Sequence, residues 1–238
     1  MGGQSPIVLV DVVAQPRNHY DYDWGEAERR CRAAVKREPL STHLRQWYAS
    51  FWLLAIGRPD EALLQLARVM DEDPLCQMWH YLRSGVMECL GRPDDALAAL
   101  RTAIELDPKF WLGPVHLGML YATRGQHAEA MHCAEKAMAA APWSPYSIDL
   151  IAGALAKLGQ AEEAEPLLVT LRGDWYGAPV GLVYYYLALG EIDTAVEWAG
   201  KAVEQRFPAF ILVVLRPFEP LFRQSAARPS VLKAMNLA

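Results

Sequence analysis

The sequence predicts an all-α protein, built as a solenoid of antiparallel helix pairs. Three kinds of position recur with a fixed period of 34 residues: a glycine, an alanine and a proline. They are Gly57, Gly91 and Gly125; Ala62, Ala96 and Ala130; and Pro74, Pro108 and Pro142. A constant period of this length is typical of repeat proteins in which each unit packs mainly on its neighbours. One supersecondary unit is therefore copied along the chain.

Each copy has the signals of two helices joined by a tight turn. Gly57 suits the left-handed position after a first helix, and Pro59 suits the first position of the next. Asp60 and Glu61 follow where the positive end of the helix dipole favours acidic side chains. Asp73 and Pro74 then predict the end of the second helix.

Small residues at matched positions predict close crossings between paired helices. In the second helices this position is always alanine, and in the first helices it is Ser, Gly or Ala. The two sets are Ala62, Ala96, Ala130, Ala164 and Ala195, and Ser50, Ser84, Gly118 and Ala152. A larger side chain at these positions would separate the pair.

The regular pattern changes towards the carboxyl end. Pro166 lies inside a second helix, where an interior proline predicts a kink or a late helix start. The segment RGDWYGAP then shortens the repeat step, so that Gly159 and Gly190 are only 31 residues apart. We expect the repeats, the first of them atypical, to occupy residues 1–206. Residues 207–238 should form a cap with two short helices, at about 208–215 and 229–236, which cover the last apolar face.

Over roughly residues 22–206 the chain resembles the tetratricopeptide repeat (TPR) in five marks. These are the period, the small residue of the first helix, the turn Gly, the Ala of the second helix and the closing Asp-Pro. The resemblance implies a right-handed superhelix of about five to six repeats. The opening HYDYDWGEAERRCRAAVKREP and the closing LRPFEPLFRQ and PSVLKAMNL are similar to the C-terminal TPR regions of bacterial winged-helix regulators, cyclase-like proteins and Ser/Thr kinases. That likeness implies a sensing or scaffolding module without catalytic activity.

The TPR resemblance also implies a concave groove lined by the first helices. Its register assigns to that groove Leu44, Trp47, Phe51, Met78, Tyr81, Glu88, Leu112, Val115, Met119, Tyr146 and Asp149. The Lys and Asn of carboxylate-clamping TPRs do not occur in this set, which disfavours an acidic C-terminal peptide. The apolar and aromatic character favours an amphipathic helix or an apolar peptide. Three alternatives stay open: the chain's own N-terminal segment fills the groove, a second copy does, or these residues are inter-repeat core.

Composition disfavours several other classes of function. The net charge of −5 gives no general attraction to nucleic acid or to anionic membranes. The four cysteines have no paired spacing and are expected to be reduced, mostly buried thiols. The N-terminus lacks the features of a signal peptide, and its apolar run is too short to span a bilayer. We therefore expect the protein to be located in the cytoplasm.

No constellation of residues in the sequence predicts catalysis. His127 and His132 are about 140° apart on a helix and cannot share a metal without ligands from elsewhere, although Cys133 is adjacent. Carboxylates at the helix starts are explained by the helix dipole. We expect no enzyme, no metal and no cofactor. The sequence favours a non-enzymatic scaffold for a protein or peptide segment; the alternatives are a self-associating homodimer and the detached sensory arm of a transcription or signalling regulator.

Overall fold

The computed structural model describes residues 42–173, 177–206 and 219–237, together with positions 25, 26 and 29. The side chains at positions 43, 44, 219 and 220 are outside this description. Within these ranges every regular element is a helix, which confirms the predicted fold class. The expected first-repeat helix before residue 40 and the expected helix at about 208–215 lie outside the described residues.

The helices alternate between the first and second members of each pair. The first helices are α1 (Thr42–Trp47), which continues as a π-helix over Tyr48–Leu53, α3 (Gln77–Cys89), α5 (Leu112–Thr123), α7 (Pro145–Lys157) and α9 (Ala178–Leu189). The second helices are α2 (Pro59–Glu72), α4 (Pro93–Leu106), α6 (His127–Ala140), α8 (Ala161–Leu171) and α10 (Ile192–Glu204). Two short helices follow, α11 (Glu219–Phe222) and α12 (Arg228–Ala234).

The turn between paired helices has the predicted left-handed glycine. Gly91 has a φ angle of 68°, and the equivalent glycines of the other pairs also have positive φ. Across this turn the N–H of Arg92 donates to the carbonyl of Met87 at 2.9 Å. The N–H of Gln126 donates in the same way to Tyr121 at 3.0 Å. These bonds satisfy carbonyls that the helix end would otherwise leave free, so the sharp reversal is built into each copy.

Paired helices cross closely at the predicted small residues. Ala62, Ala96 and Ala130 are fully buried. At Gly118 on α5, an added Cβ would lie 2.9 Å from Cβ of Cys133 on α6 and 2.6 Å from Cδ2 of Leu150 on α7. No methyl group fits at that distance without movement of its neighbours. The prediction that this position must be small is confirmed at Gly118.

Pro166 does not delay the start of its helix. Helix α8 begins at Ala161 and runs to Leu171 with the proline inside it, so the predicted late start is wrong. Glu162 and Glu163 in the first turn favour initiation there. Because Pro166 is exposed, the hydrogen bond it cannot donate is lost at the surface. The predicted kink stays a prediction.

Helix α12 lies where the sequence predicts a helix at about 229–236, and it packs against α10. Phe222 and Met235 are 1% and 0% exposed in the adjoining core. The hydroxyl of Ser225 donates to Oδ1 of Asp193 at 2.7 Å, which joins this end of the chain to the first turn of α10. No helix in the described ranges is long and apolar enough to cross a membrane.

Candidate functional site

The residues assigned to the groove lie on four first helices and the π-helical extension of α1. Trp47 is the last residue of α1 and Phe51 lies in its extension; Met78, Tyr81 and Glu88 lie on α3; Leu112, Val115 and Met119 on α5; Tyr146 and Asp149 on α7. Leu44 belongs to α1, but its side chain is outside the described residues. We call the surface formed by the described members the inner face.

Burial divides the inner face into two parts. Five of its residues are half-buried: Trp47, Phe51, Met78, Tyr81 and Leu112. The side chain of Glu88 is only 5% exposed. Val115, Met119, Tyr146 and Asp149 are buried, at 4%, 4%, 8% and 0% exposure. The second group packs between helices, as the inter-repeat core alternative describes. A partner can therefore reach the first group directly, and the second group only from its edge.

Aromatic contacts order the half-buried part. The rings of Trp47 and Phe51 stack with centroids 3.9 Å apart. Tyr81 meets the edge of Phe110 at 5.5 Å and that of His116 at 5.6 Å. Stacked and edge-to-face pairs of this kind hold aromatic side chains in fixed orientations. The half-buried part is thus a pre-organised apolar surface.

The buried part surrounds a small cavity shared by four first helices. Its volume is about 20 Å³. The lining residues come from α3, α5, α7 and α9: Tyr81, Leu112, Val115, His116, Met119, Tyr146 and Tyr184. Because about 10–15 Å³ is enough for one water molecule, this space takes a group of that size and no helix.

Tyr184 is the lining residue that sequence reasoning missed. It lies on α9, with its ring 5.9 Å from that of Tyr146. The signal was available, because Tyr184 follows Gly153 by 31 residues, the shortened step that also separates Gly159 and Gly190. Carrying the register over the break by that step places Tyr184 in line with Met119 and Phe51.

Two further polar groups are buried beside the tyrosines. Oε1 of Glu88 lies 2.8 Å from Nε2 of His116, with both side chains at most 10% exposed. This is the distance of an ion pair, although the angles are not those of a hydrogen bond. His116 was not among the predicted residues, since it does not fall on a groove position of the repeat.

Asp149 is the most isolated polar group of the inner face. It is fully buried, and neither of its carboxyl oxygens has a hydrogen-bond partner. It lines a second cavity of about 10 Å³, together with Met119, Thr123 and Tyr184. Burial raises the pKa of Asp149 well above its usual range, and the neighbouring N–H groups of its own helix offset this only partly.

The acidic and phenolic groups of this region change one another's tendency to ionise. Burial raises the pKa of Tyr184 well above its usual range, and the nearby Tyr146, Tyr81, Asp149 and Glu88 raise it further. We call these five residues and His116 the buried polar cluster. It carries acidic and phenolic groups, and neither cavity is lined by a Lys or Arg among the described residues.

The sequence also singled out histidine and cysteine side chains. No set of three His, Cys, Asp or Glu side chains in the described ranges could hold a metal. Burial raises the pKa of the Cys133 thiol to about 11, which disfavours its thiolate. Cys76 is half-buried and Cys89 exposed, so the expectation of mostly buried thiols is wrong for Cys89, which lies at the end of α3.

The fold and the repeat marks resemble those of one class of protein, the TPR solenoids. Residues 90–145 match the family model described as tetratricopeptide repeat. Together with the solved structures below, this match confirms the resemblance to the tetratricopeptide repeat; the likeness to the C-terminal regions of bacterial regulators stays a prediction. No curated protein sequence matches the chain.

Solved structures with the same fold include the type IV pilus biogenesis factor PilW, with a TM-score of 0.61, 16% identity, and coverage of 96% of this chain and 100% of PilW. A thermophilic TPR protein of Thermus thermophilus superimposes with a TM-score of 0.55 and 22% identity, over 81% of this chain and 100% of that one. A chain of the APC/C hetero-tetramer Cut9-Hcn1 gives a TM-score of 0.58 and 16% identity, over 92% and 44% of the two chains.

Proposed function

We propose that this chain is a non-enzymatic scaffold that holds an apolar or amphipathic protein segment against its inner face. One observation carries the proposal: successive first helices carry half-buried apolar side chains at the groove positions of the repeat. These are Trp47, Phe51, Met78, Tyr81 and Leu112. Adjoining apolar side chains on a repeat surface form the kind of site that an amphipathic helix or an apolar peptide covers.

The contacts of these side chains support a binding role over simple exposure. The Trp47 and Phe51 stack and the edge contacts of Tyr81 fix the rings before a partner arrives. Pre-ordered aromatic side chains lose little conformational freedom on binding, so more of the contact energy is retained as affinity. Large aromatic side chains are also enriched among the residues that dominate protein interfaces.

Similarity to assembled repeat proteins adds support of a general kind. The matching chain of the Cut9-Hcn1 structure is part of a hetero-tetramer. We extend to this chain only the class of function, which is contact with another polypeptide. The free thiols of Cys76 and Cys133 suit a reducing compartment such as the cytoplasm, where we place the scaffold.

The test is selection of binding peptides on the purified chain, followed by measurement of their affinity for variants. Random peptides long enough for about four helical turns should yield binders with apolar residues at helical spacing. Replacing Trp47 or Tyr81 with Ala should weaken their binding by about tenfold or more, as expected for central aromatic contacts. Circular dichroism should show that helicity is kept.

Leu64→Ala is the matched control, because Leu64 is 64% exposed on the second helix α2, away from the inner face. It should leave peptide affinity unchanged. Equal peptide affinity of the wild type, Trp47→Ala and Tyr81→Ala would contradict the assignment of the inner face as the binding surface. If instead the chain is dimeric in light scattering, and the two aromatic variants are monomeric, the inner face serves self-association and the scaffold proposal fails in that form.

A further inference from the structure

Asp149 is buried where three first helices meet. The cavity of about 10 Å³ beside it is lined by side chains of α5, α7 and α9. Part of the cavity wall is thin, because Thr123 is exposed and Ala122 and Ala188 are half-buried. At these residues a single layer of side chains separates the buried region from solvent.

The carboxyl group of Asp149 lacks the contacts that ordinarily stabilise a buried negative charge. Asp149 is 0% exposed, and neither of its carboxyl oxygens has a hydrogen-bond partner. The N–H groups of Asp149 and Leu150 favour the charge, but they offset the cost of burial only partly. A carboxyl group in this position stays neutral or must gain access to water.

The nearby acidic and phenolic groups give that charge no counterion. They are Glu88 and Tyr81 on α3, Tyr146 on α7 and Tyr184 on α9. In the part of the chain described, no Lys or Arg lines the cavity beside Asp149. Each of these neighbours is either neutral or negative, so none of them favours a second negative charge.

The other titratable groups on the packed helices do not supply a counterion either. His116 on α5 lies 2.8 Å from Glu88, which balances the charge of the imidazole when it is protonated. On α6, burial raises the pKa of Cys133 to about 11, so this side chain stays a neutral thiol. Helices α6 and α8 also pack on α7, and none of their described residues lines the cavity.

Helices α7 and α9 approach closely one turn after Asp149. A Cβ added at Gly153 on α7 would lie 3.0 Å from Cβ of Ala188 on α9. Ala188 also lines the cavity beside Asp149. A separation of the two helices at this point therefore widens the cavity and brings solvent to the carboxyl group.

From this arrangement we infer that Asp149 is a pH switch that controls how tightly α5, α7 and α9 pack on one another. While the carboxyl group is neutral, the three helices close over it. When it ionises, its charge requires water, and α5 and α9 separate from α7 at the thin wall to admit it. The switch belongs to the chain itself and goes beyond the proposed partner binding.

The direction of the pH dependence follows from burial. Burial raises the pKa of Asp149 in the closed state, whereas water holds it near its ordinary value of about 3.9 in the open state. The closed state is therefore fully stabilised below about pH 3.9, and this stabilisation is lost as the pH rises towards the raised pKa. In that window the equilibrium constant for opening should rise by up to about tenfold per pH unit.

The test is residue-resolved hydrogen exchange of the full chain between about pH 4 and about pH 8, with rates corrected for the intrinsic pH dependence of exchange. Opening of α7 and α9 should increase by at least about tenfold over this range, while opening of α2 should not. Asp149→Asn should remove the pH dependence in α7 and α9, because Asn has no proton to release. Asp60→Asn, an equal change of charge at an exposed helix start, should keep it.

Opening of α7 and α9 that does not change with pH in the wild type overturns the inference. An unchanged pH dependence in a folded Asp149→Asn overturns it as well. A rise of equal size in α2 also does so, because the array would then open as a whole and not at Asp149. Asp149→Leu, which is neutral and apolar, is the second variant if Asp149→Asn does not fold, and the same outcomes apply to it. If neither variant folds, the contrast between α9 and α2 in the wild type decides.

Discussion

Asp149 shows how one residue can set the pH dependence of the whole protein. Its pKa is raised by burial, so the folded state holds its proton more tightly than the unfolded chain does. The stability that this provides is fully present below the unfolded pKa of about 3.9 and is lost as the pH rises towards the folded pKa. At neutral pH the residue therefore contributes less to folding than it does in acid.

We predict that Asp149→Asn reduces this loss. Between about pH 4 and pH 8, the wild type should lose about 1 kcal/mol or more of unfolding free energy beyond what the variant loses, because Asn has no proton to release. Denaturant unfolding of both proteins across this range measures the difference. The other groups of the buried polar cluster are the same in both proteins, so their titration largely cancels. Parallel pH profiles would contradict the burial of an unpaired carboxyl.

At the level of single residues, the sequence predicted which residues share a helix face better than it predicted how deeply each is buried. The repeat register brings Tyr81, Leu112, Val115, Met119 and Tyr146 to one cavity, as a shared helix face requires. It did not predict that Asp149 is fully buried, although Tyr184, which lines the same cavity, can be assigned to this face through the shortened step. Burial depends on how neighbouring repeats are rotated, and a period does not specify that rotation.

At the level of helices, small residues control how closely the repeats stack. Gly118 on α5 faces Cys133 of its own pair and Leu150 of the next first helix. Leu150 can move its terminal methyl group, whereas Cβ of Cys133 is fixed to the backbone of α6. A methyl group at position 118 must therefore push α5 and α6 apart.

We predict that Gly118→Ala destabilises the protein by about 1–3 kcal/mol, the range for overpacking in a close-packed interior. Gly200→Ala is the matched control on α10, where an added Cβ meets nothing within 4 Å and the backbone is helical. That change should stabilise by about 0.5–1 kcal/mol, because alanine loses less conformational freedom in a helix. Chemical denaturation of both variants tests the pair. A neutral or stabilising Gly118→Ala would show that the α5 and α6 crossing is looser than the structure indicates.

Helix boundaries were predictable where the signal is local. The turn glycines, the proline at the first helical position and the acidic first turn all act within a few residues, and α2 and α4 begin at Pro59 and Pro93 as expected. The predicted late start of α8 was wrong because it considered only the hydrogen bond that Pro166 cannot make. Packing of the other residues of α8 keeps the helix formed. Leu168 and Leu171 of that helix are buried at 3% and 0% exposure. Tertiary burial outweighs the local penalty there.

At the level of the whole molecule, the chain resembles a row of coupled units more than a single globule. Each repeat is stabilised by its own pair and by the neighbours it touches, so a local change should spread only as far as the adjoining units. The last regular helix, α10, has a neighbour on one side within the array, and α12 packs on it from the other end. Loss of that contact should expose apolar surface mainly on α10, the described helix on which α12 makes its main contact.

Met235 provides the sharpest test of this nearest-neighbour behaviour. It is fully buried after α12, and Met235→Ala should cost about 2–5 kcal/mol, as for other large-to-small changes in a packed core. Hydrogen exchange should become faster in α12 and α10 first, while α2 to α5 keep their protection, because in a repeat array a local loss spreads mainly to the adjoining units. Lys233→Ala, at an exposed position of α12, should leave the exchange of α10 unchanged. A uniform increase of exchange along all the described helices would mean that the array unfolds as one cooperative unit, and that its two ends are coupled through the packing of the first helices on one another.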